Sequence, residues 1–167
     1  MVVFDASPLI LLAKAELLER FLGSFPEPVV IPLAVQTECC EKKASFDAWL
    51  IARLIAEKYI EVRTLRSHKA FVQLRREFSL GVGEAQAIAL TQESNARLIA
   101  IEDRNGVYAC KILKLPFIGA LGILLRMREK ELVSGEEALR KLEILRKYGR
   151  YRAEIVDDVR RRLEATK

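Results

Sequence analysis

Short apolar runs that alternate with helical patterns constrain the fold of this chain more than any other feature. Each run is only three or four residues long, and all of them except Ile60–Val62, which contains Glu61, are continuously apolar. Such runs are typical of strands in a parallel sheet that is covered by helices on both faces. The predicted strands are Val2–Phe4, Val29–Ile31, Ile60–Val62, Leu98–Ile101 and Pro116–Ile118.

Helical patterns fill the stretches between these strands and the region after them. Ser7 and Pro8 are suited to the start of a helix that runs to Phe21, with a break near Ala15. Pro32 opens a second helix. Because the connections are short and no repeat or linker is present, we expect one compact α/β domain with a helical C-terminal extension. Pro32 is expected to begin a helix to about 42, and the other helices are predicted over about 46–58, 68–78, 84–93, 105–113, 120–130, 135–147 and 151–165.

The composition fits a protein with one well-buried core. The chain has 167 residues, and 51 % of them are hydrophobic. No apolar run is long enough to span a bilayer, so we expect neither a membrane protein nor a secretory signal. Three cysteines, two of them adjacent, make a poor disulfide framework. The sequence therefore predicts a reduced, cytoplasmic protein.

The net charge of +5 is unevenly distributed along the chain. Residues 126–167 carry 13 basic and 9 acidic side chains, against 15 and 14 in the rest of the chain. A basic C-terminal region is compatible with a polyanionic partner, although a solvated basic helix face is also common without one.

Acidic side chains stand where the predicted strands end. Asp5 follows the first strand and Glu102-Asp103 follows the fourth, whereas Glu38 and Glu84 lie on helices after the second strand and after a glycine-rich break. Ligands of open parallel sheets gather at the carboxyl ends of the strands, and clustered carboxylates call for a hard divalent cation such as Mg²⁺ or Mn²⁺. Each acid also has an ordinary alternative, as a helix cap, a first-turn acid, an exposed helical residue or a turn residue.

Five segments, taken in order, resemble a PIN-domain protein and are most similar to the VapC-like prokaryotic group. They read VVFDASPLI, IPLAVQTE, LGVGEAQAIAL, LIAIEDRNGVYAC and LPFIGALGILL, and the resemblance covers about residues 1–130. It implies a three-layer α/β/α Rossmann-like domain over 1–130, with the helical extension over 131–167 packed on the same domain. It also implies an endoribonuclease that depends on Mg²⁺ or Mn²⁺, in many relatives the toxin of a toxin–antitoxin pair.

The resemblance also assigns roles to individual residues. Ser7 is expected to hydrogen-bond within the acidic cluster. Relatives often have Asp-Asp where this chain has Glu102-Asp103, so Glu102 is assigned only a supporting role. The catalytic and metal-binding acids are expected to be Asp5, Glu38, Glu84 and Asp103.

Several partners follow from the same interpretation. RNA, in single-stranded form, is the expected substrate, and Arg104 and Lys111 flank Asp103 where they can contact phosphates. An antitoxin protein is the expected protein partner. A homodimer is expected because one predicted helix and the strand before it carry more apolar surface than one helix normally buries. The alternative is that the chain itself buries this surface. These residues are Phe117, Ile118, Leu121, Ile123, Leu124 and Leu125.

Two alternatives to a ribonuclease stay open at this point. The first is an RNA- or protein-binding module that has the PIN fold but little or no nuclease activity. The four acids argue against it, because a pure RNA binder gains nothing from concentrated negative charge. The second is a metal-dependent nuclease that acts on DNA.

Overall fold

A single parallel sheet forms the centre of the protein. The computed structural model describes residues 1–41 and 44–166. The strands are β1 (Val2–Phe4), β2 (Val29–Pro32), β3 (Ile60–Arg63), β4 (Leu98–Ala100) and β5 (Phe117–Ile118). Their order across the sheet is β3-β2-β1-β4-β5, and every pair is parallel. All five predicted strands are confirmed to within one residue at each end.

Helices connect the strands and cover the sheet. In the described part of the chain they are α1 (Ala6–Lys14), α2 (Leu18–Ser24), α3 (Leu33–Gln36), the π-helical segment Thr37–Glu41, α4 (Phe46–Ala56), α5 (His68–Phe78), α6 (Val82–Glu93), α7 (Arg104–Ile112), α8 (Ala120–Glu129), α9 (Gly135–Tyr148) and α10 (Ala153–Ala165).

The sheet divides the hydrophobic core into two halves. Along β1, Val2 and Phe4 face the core formed with α1, α2, α4, α8, α9 and α10, whereas Val3 faces the core formed with α5, α6 and α7. This alternation is the period of two that a strand imposes on its side chains. Because both faces are covered, all three residues are buried, and the predicted three-layer α/β/α fold is confirmed.

Two predicted helices differ from the expectation. The first begins at Ala6 rather than Pro8, so Asp5 takes the N-cap position and Ser7 is not the cap. Near the expected break, Glu16 adopts a left-handed conformation with φ 55°, and the chain turns into a separate helix, α2. The helix expected after Pro32 is a single α-helical turn that widens into the π-helical segment. Its predicted end at Lys42 lies outside the described residues.

The C-terminal helices pack on the same core as β1. Leu142 of α9 and Val159 of α10 are buried in the core half that contains Phe4. Leu121, Ile123, Leu124 and Leu125 of α8 are also buried within the chain, at most 6 % exposed. The apolar surface from which a homodimer was predicted is therefore largely absent, because the chain covers most of it itself. No helix in the described ranges is long and apolar enough to cross a membrane.

Candidate active site at the carboxyl edge of the sheet

Asp5 is the most deeply placed acid of the site. It follows β1, the central strand, and its N–H donates to the carbonyl of Ala100 at 2.9 Å, which extends the β1–β4 pairing by one residue. Its side chain is buried, and burial is the main reason why the pKa of its carboxyl rises to about 7. The negative charges of Glu84 and Glu38 add to this rise, while the N–H groups of Ala6 and Ser7 oppose it.

Glu38 reaches the site from the π-helical segment that follows α3. The wider turn of a π-helix shifts the side chains after it around the helix axis, and such segments are frequent at functional sites. Gln86 of α6 fixes the start of α3, because its side-chain oxygen accepts a hydrogen bond from the N–H of Ala34 at 3.2 Å. Glu38 is exposed, so its carboxylate stands at the mouth of the site rather than in its interior.

Gly83 makes room for two of the acids. A methyl group at this position would lie 3.0 Å from Oε2 of Glu38 and 3.6 Å from Oδ1 of Asp5. Because both oxygens approach the same point, the two carboxylates converge against the bare backbone of α6. Gly83 is buried in α6 and does not have a positive φ, so the close approach explains the glycine better than backbone conformation does.

Glu84 and Asp103 each cap a helix with one carboxylate oxygen. Oε2 of Glu84 accepts from the N–H of Gly81 at 3.0 Å at the start of α6, and Oδ1 of Asp103 accepts from the N–H of Asn105 at 2.7 Å at the start of α7. Burial, followed by the charges of Asp103 and Glu38, raises the pKa of Glu84 against the opposing effect of the Gly81 N–H. The second oxygen of each carboxylate has no hydrogen bond to a described residue.

Together, Asp5, Glu38, Glu84 and Asp103 form one acid cluster at the edge where the parallel strands end. Charge repulsion connects Asp5 with Glu84 and Glu38, and connects Glu84 with Asp103. None of the four carboxylates forms an ion pair with another described residue. The structure thus brings together all four acids that the sequence singled out.

The chemistry of the acid cluster fits a hard divalent cation, because its donors are all carboxylate oxygens. The convergence of Asp5 and Glu38 on Gly83 and the spare oxygens of Glu84 and Asp103 are consistent with this fit. However, no three Asp, Glu, His or Cys side chains in the described ranges are already arranged to hold one ion.

Glu102, the neighbour of Asp103, lies apart from the acid cluster. Its carboxylate accepts a hydrogen bond from the N–H of Ala120 at the start of α8. Burial raises the pKa of Glu102, and the N–H of Ala120 and the hydroxyl of Tyr151 oppose that rise. The Tyr151 hydroxyl is itself buried, and its pKa is raised by burial and by Glu102. Glu102 thus holds the start of α8, whereas the buried Tyr151 hydroxyl has no hydrogen-bond partner among the described residues.

The remaining predicted residues lie around the acid cluster. Ser7 is half-buried beside Asp5 and contributes its backbone N–H; its hydroxyl has no hydrogen bond to a described residue. Arg104 and Lys111 are exposed on α7. Sequence reasoning missed Gly83 and Gln86. Gly83 had a signal in the two glycines before Glu84, whereas nothing in the local sequence indicates that Gln86 contacts α3.

A separate cavity of about 440 Å³ lies in the core half that contains Phe4, between β4, β5, α2 and α8. Its lining is mostly apolar, with Phe21, Phe25 and Ile123 among its walls. No residue of the acid cluster contributes to it. The carboxyl edge of the sheet, and not this cavity, is therefore the candidate active site.

Comparison with known proteins identifies the family of this chain. A family model, DUF3368, described as a PIN domain, matches residues 1–165 and so includes α9 and α10. No significant match to the chain was found among curated proteins or among solved structures. PIN domains are generally nucleases, act on nucleic acid and commonly use Mg²⁺ or Mn²⁺. With a parallel sheet that carries four acids at its carboxyl edge and a family match over nearly its whole length, this chain belongs to the PIN-domain family.

Proposed function

We propose that the protein is an endoribonuclease that depends on Mg²⁺ or Mn²⁺ and hydrolyses phosphodiester bonds of single-stranded RNA. The observation that carries the proposal is the acid cluster, in which Asp5 is buried and none of the four carboxylates has an ion-pair partner among the described residues. Their mutual repulsion is relieved only when a cation or protons enter the site.

The four acids would hold one or two ions. A bound divalent ion would activate a water molecule and neutralise charge that develops on the scissile phosphate. Asp5, at the centre of the sheet edge, anchors the ligand set, and Glu84 and Asp103 offer their spare oxygens. Glu38, exposed at the mouth, would hold a second ion or orient the attacking water. Ser7 supports Asp5 through its N–H, and Glu102 supports the loop that carries Asp103.

Arg104 and Lys111 are proposed to hold the RNA backbone beside the site. Both are exposed and neither forms an ion pair with a described residue, so their charges are available to phosphates. Narrower parts of the proposal are a VapC-like toxin role, a cytoplasmic location, an antitoxin partner and a homodimer. Sedimentation at tens of micromolar tests the homodimer.

A second candidate is a binding module that retains the fold but has little or no nuclease activity. The observation that favours it is the absence, within the described residues, of three acids already placed to hold one ion. In that case Glu84 and Asp103 would serve only as helix caps.

Cleavage of an end-labelled, unstructured RNA separates the two candidates. The assay compares Mn²⁺ with EDTA, and the wild type with Asp5→Asn. Asp47→Asn is a matched control, because Asp47 is 4 % exposed, close to the 2 % of Asp5, but pairs with Lys14 away from the acid cluster. We expect cleavage that needs Mn²⁺, is lost in Asp5→Asn and persists in Asp47→Asn. Full cleavage by a folded Asp5→Asn protein would contradict the proposal.

A further inference from the structure

The exposed face of α7 carries a cation, an aromatic ring and a second cation in one row. Arg104, Tyr108 and Lys111 are at positions i, i+4 and i+7, a spacing that places side chains on the same face of a helix. All three are exposed, and Tyr108 is 58 % exposed. These three residues are called the α7 stripe below.

The α7 stripe starts beside the acid cluster. Asp103 is the N-cap of α7, and Arg104 is the first residue of the helix. At about 1.5 Å of rise per residue, the stripe extends roughly 10 Å from Arg104 to Lys111. A strand of nucleic acid lying along the stripe would therefore lead directly toward Asp103.

The cations of this surface are not neutralised by the protein. Arg104 and Lys111 form no ion pair with a described residue. The last turn of α5 adds Arg75 and Arg76, which are also exposed and unpaired in the same sense. A hydrogen bond of 3.3 Å from Nδ2 of Asn105 to the carbonyl of Ser79 joins this end of α5 to the start of α7.

The basic C-terminal helix differs from this surface. Arg160 pairs with Glu143, and Arg161 pairs with Asp158 at 3.3 Å. Part of the positive charge of the C-terminal region is therefore neutralised by acidic side chains of the protein itself. The α7 stripe is the better electrostatic match for a polyanion.

Phe78 restrains the ring of Tyr108 on one side, while the rest of the Tyr108 side chain is exposed to solvent. Phe78 of α5 contacts it edge to face, with ring centroids 6.3 Å apart and an interplanar angle of 66°. This contact restricts the ring, yet more than half of the side chain faces solvent. A restrained, exposed aromatic ring between two cations is the arrangement on which bases of single strands stack.

We infer that the α7 stripe is a binding track for single-stranded RNA, in which Tyr108 stacks on a base while Arg104 and Lys111 hold neighbouring phosphates. The inference rests on the proposed function, because the track leads a single strand to the acid cluster. A duplex offers no free base face, so stacking on Tyr108 selects unpaired RNA.

Fluorescence anisotropy with a labelled, unstructured RNA, measured in EDTA so that no cleavage occurs, tests the inference. The variants are Tyr108→Ala, Tyr108→Phe and the double substitution of Arg104 and Lys111 by Ala. Tyr59→Ala is the matched aromatic control, since Tyr59 is 53 % exposed on another part of the surface. Arg150→Ala with Arg162→Ala removes the same charge from exposed residues of the C-terminal region.

The two kinds of substitution are expected to leave different signatures. Tyr108→Ala weakens binding of the single strand about tenfold without changing the salt dependence, and Tyr108→Phe restores wild-type binding, because stacking needs only the ring. The charge variant lowers the slope of log affinity against log salt by about 1.4, at about 0.7 per phosphate contact on a single strand. Affinity for duplex RNA is unchanged in Tyr108→Ala. Both controls bind like the wild type.

Two results would overturn the inference. One is wild-type affinity in Tyr108→Ala, and the other is an equal loss of affinity in the C-terminal charge control. If Tyr108→Ala has wild-type affinity and an altered sedimentation coefficient, this face is a protein–protein surface. Because binding is measured without metal, the test is independent of cleavage. If the wild type does not cleave RNA but the α7 stripe variants still lose RNA binding, the inference about binding is supported and the proposed nuclease activity is contradicted.

Discussion

The carboxylates at the two edges of the sheet have opposite electrostatic surroundings. At the edge where the strands begin, Glu27 precedes β2. Its carboxylate oxygens form ion pairs with the guanidinium of Arg97 and with the amino group of Met1, each at 2.5 Å. The hydrogen bond from Arg97, followed by that from the amino group, lowers the pKa of Glu27 to about 2. This carboxylate joins the starts of three strands and is fully compensated.

At the edge where the strands end, the carboxylates lack such partners. The pKa of Asp5 is raised to about 7, by burial first and then by Glu84 and Glu38. The comparison teaches that position relative to the strand, and not the residue type, separates a structural acid from one that is available for chemistry. Four substitutions or conditions sharpen or break this contrast.

The largest effect is expected from Glu84→Gln. The amide oxygen of glutamine can still accept from the N–H of Gly81, so α6 keeps its cap, but the negative charge is lost. We expect cleavage to fall about a thousandfold, which is about 4 kcal/mol of barrier, with little change in melting temperature. Glu93→Gln at the other end of α6, where Glu93 accepts from the N–H of Arg66, is the control. Equal cleavage by both variants would contradict the prediction.

The next largest effect concerns the pH dependence of stability without metal. The pKa of Asp5 is near 3.8 in an ordinary carboxyl and about 7 in the folded protein. Between pH 3.8 and pH 7, Asp5 binds fewer protons in the unfolded chain than in the folded protein. The free energy of unfolding therefore falls as the pH rises through this range, and Asp5 causes no further fall above about pH 7. The loss amounts to a few kcal/mol, at about 1.4 kcal/mol per pH unit.

Urea denaturation in EDTA at pH 4.5, 6 and 8 measures this effect. Asp5→Asn should be more stable than the wild type at pH 8, and the two should approach each other at pH 4.5. Mn²⁺ at pH 8 should stabilise only the wild type, since an ion that binds the folded state alone shifts the equilibrium toward it. Parallel pH profiles of the two proteins would disprove the assignment of the raised pKa to Asp5.

A smaller effect is expected from Gly83→Ala. The new methyl group would approach Oε2 of Glu38 to 3.0 Å, so that side chain must shift by a few tenths of an ångström. Alanine favours a helix over glycine by up to about 1 kcal/mol, so stability should not fall, while Mn²⁺ affinity and cleavage fall about tenfold. Gly23→Ala in α2 is the control, because nothing lies within 4 Å of its added methyl group. Unchanged Mn²⁺ affinity in Gly83→Ala would contradict the close approach.

The smallest effect is expected at the opposite edge, from Glu27→Gln. Loss of the ion pair with Arg97 should lower the melting temperature slightly, and less so at high salt, because exposed ion pairs are screened. Cleavage should be unchanged. The exposed Glu164→Gln provides the baseline for a neutral surface change. A loss of cleavage comparable to that of Glu84→Gln would break the contrast between the two edges.

Most of the fold was predictable because every strand except β3, which contains Glu61 and Arg63, is a continuous apolar run. Val2–Phe4, Ile99 and Ala100 are buried, and burial on both faces of the sheet produces the continuous apolar runs seen in the sequence. The helix breaks were less predictable. A left-handed residue such as Glu16 and a π-helical segment after α3 depend on how the helices pack, and their local sequences resemble ordinary helices.

The candidate site was predictable in its residues but not in its hydrogen bonds. Asp5 and Asp103 follow strands, and parallel strands bring their ends to one edge. Nothing local indicates that Glu102 caps α8 through the N–H of Ala120, or that Gln86 holds α3. Such contacts join residues that are distant along the chain, and only the tertiary structure specifies them.

The strand order has a consequence for folding. Asp5 and Asp103 lie at the ends of β1 and β4, which are neighbours in the sheet although most of the domain separates them along the chain. Any partly folded state in which β4 has not paired with β1 therefore lacks Asp103 at the acid cluster, even where Asp5 and Glu38 have converged on Gly83. Long-range pairing of this kind forms slowly, because chain entropy is lost before the contacts are gained. A chain emerging from the ribosome, among abundant RNA, thus carries no assembled site until its fourth strand has joined the sheet.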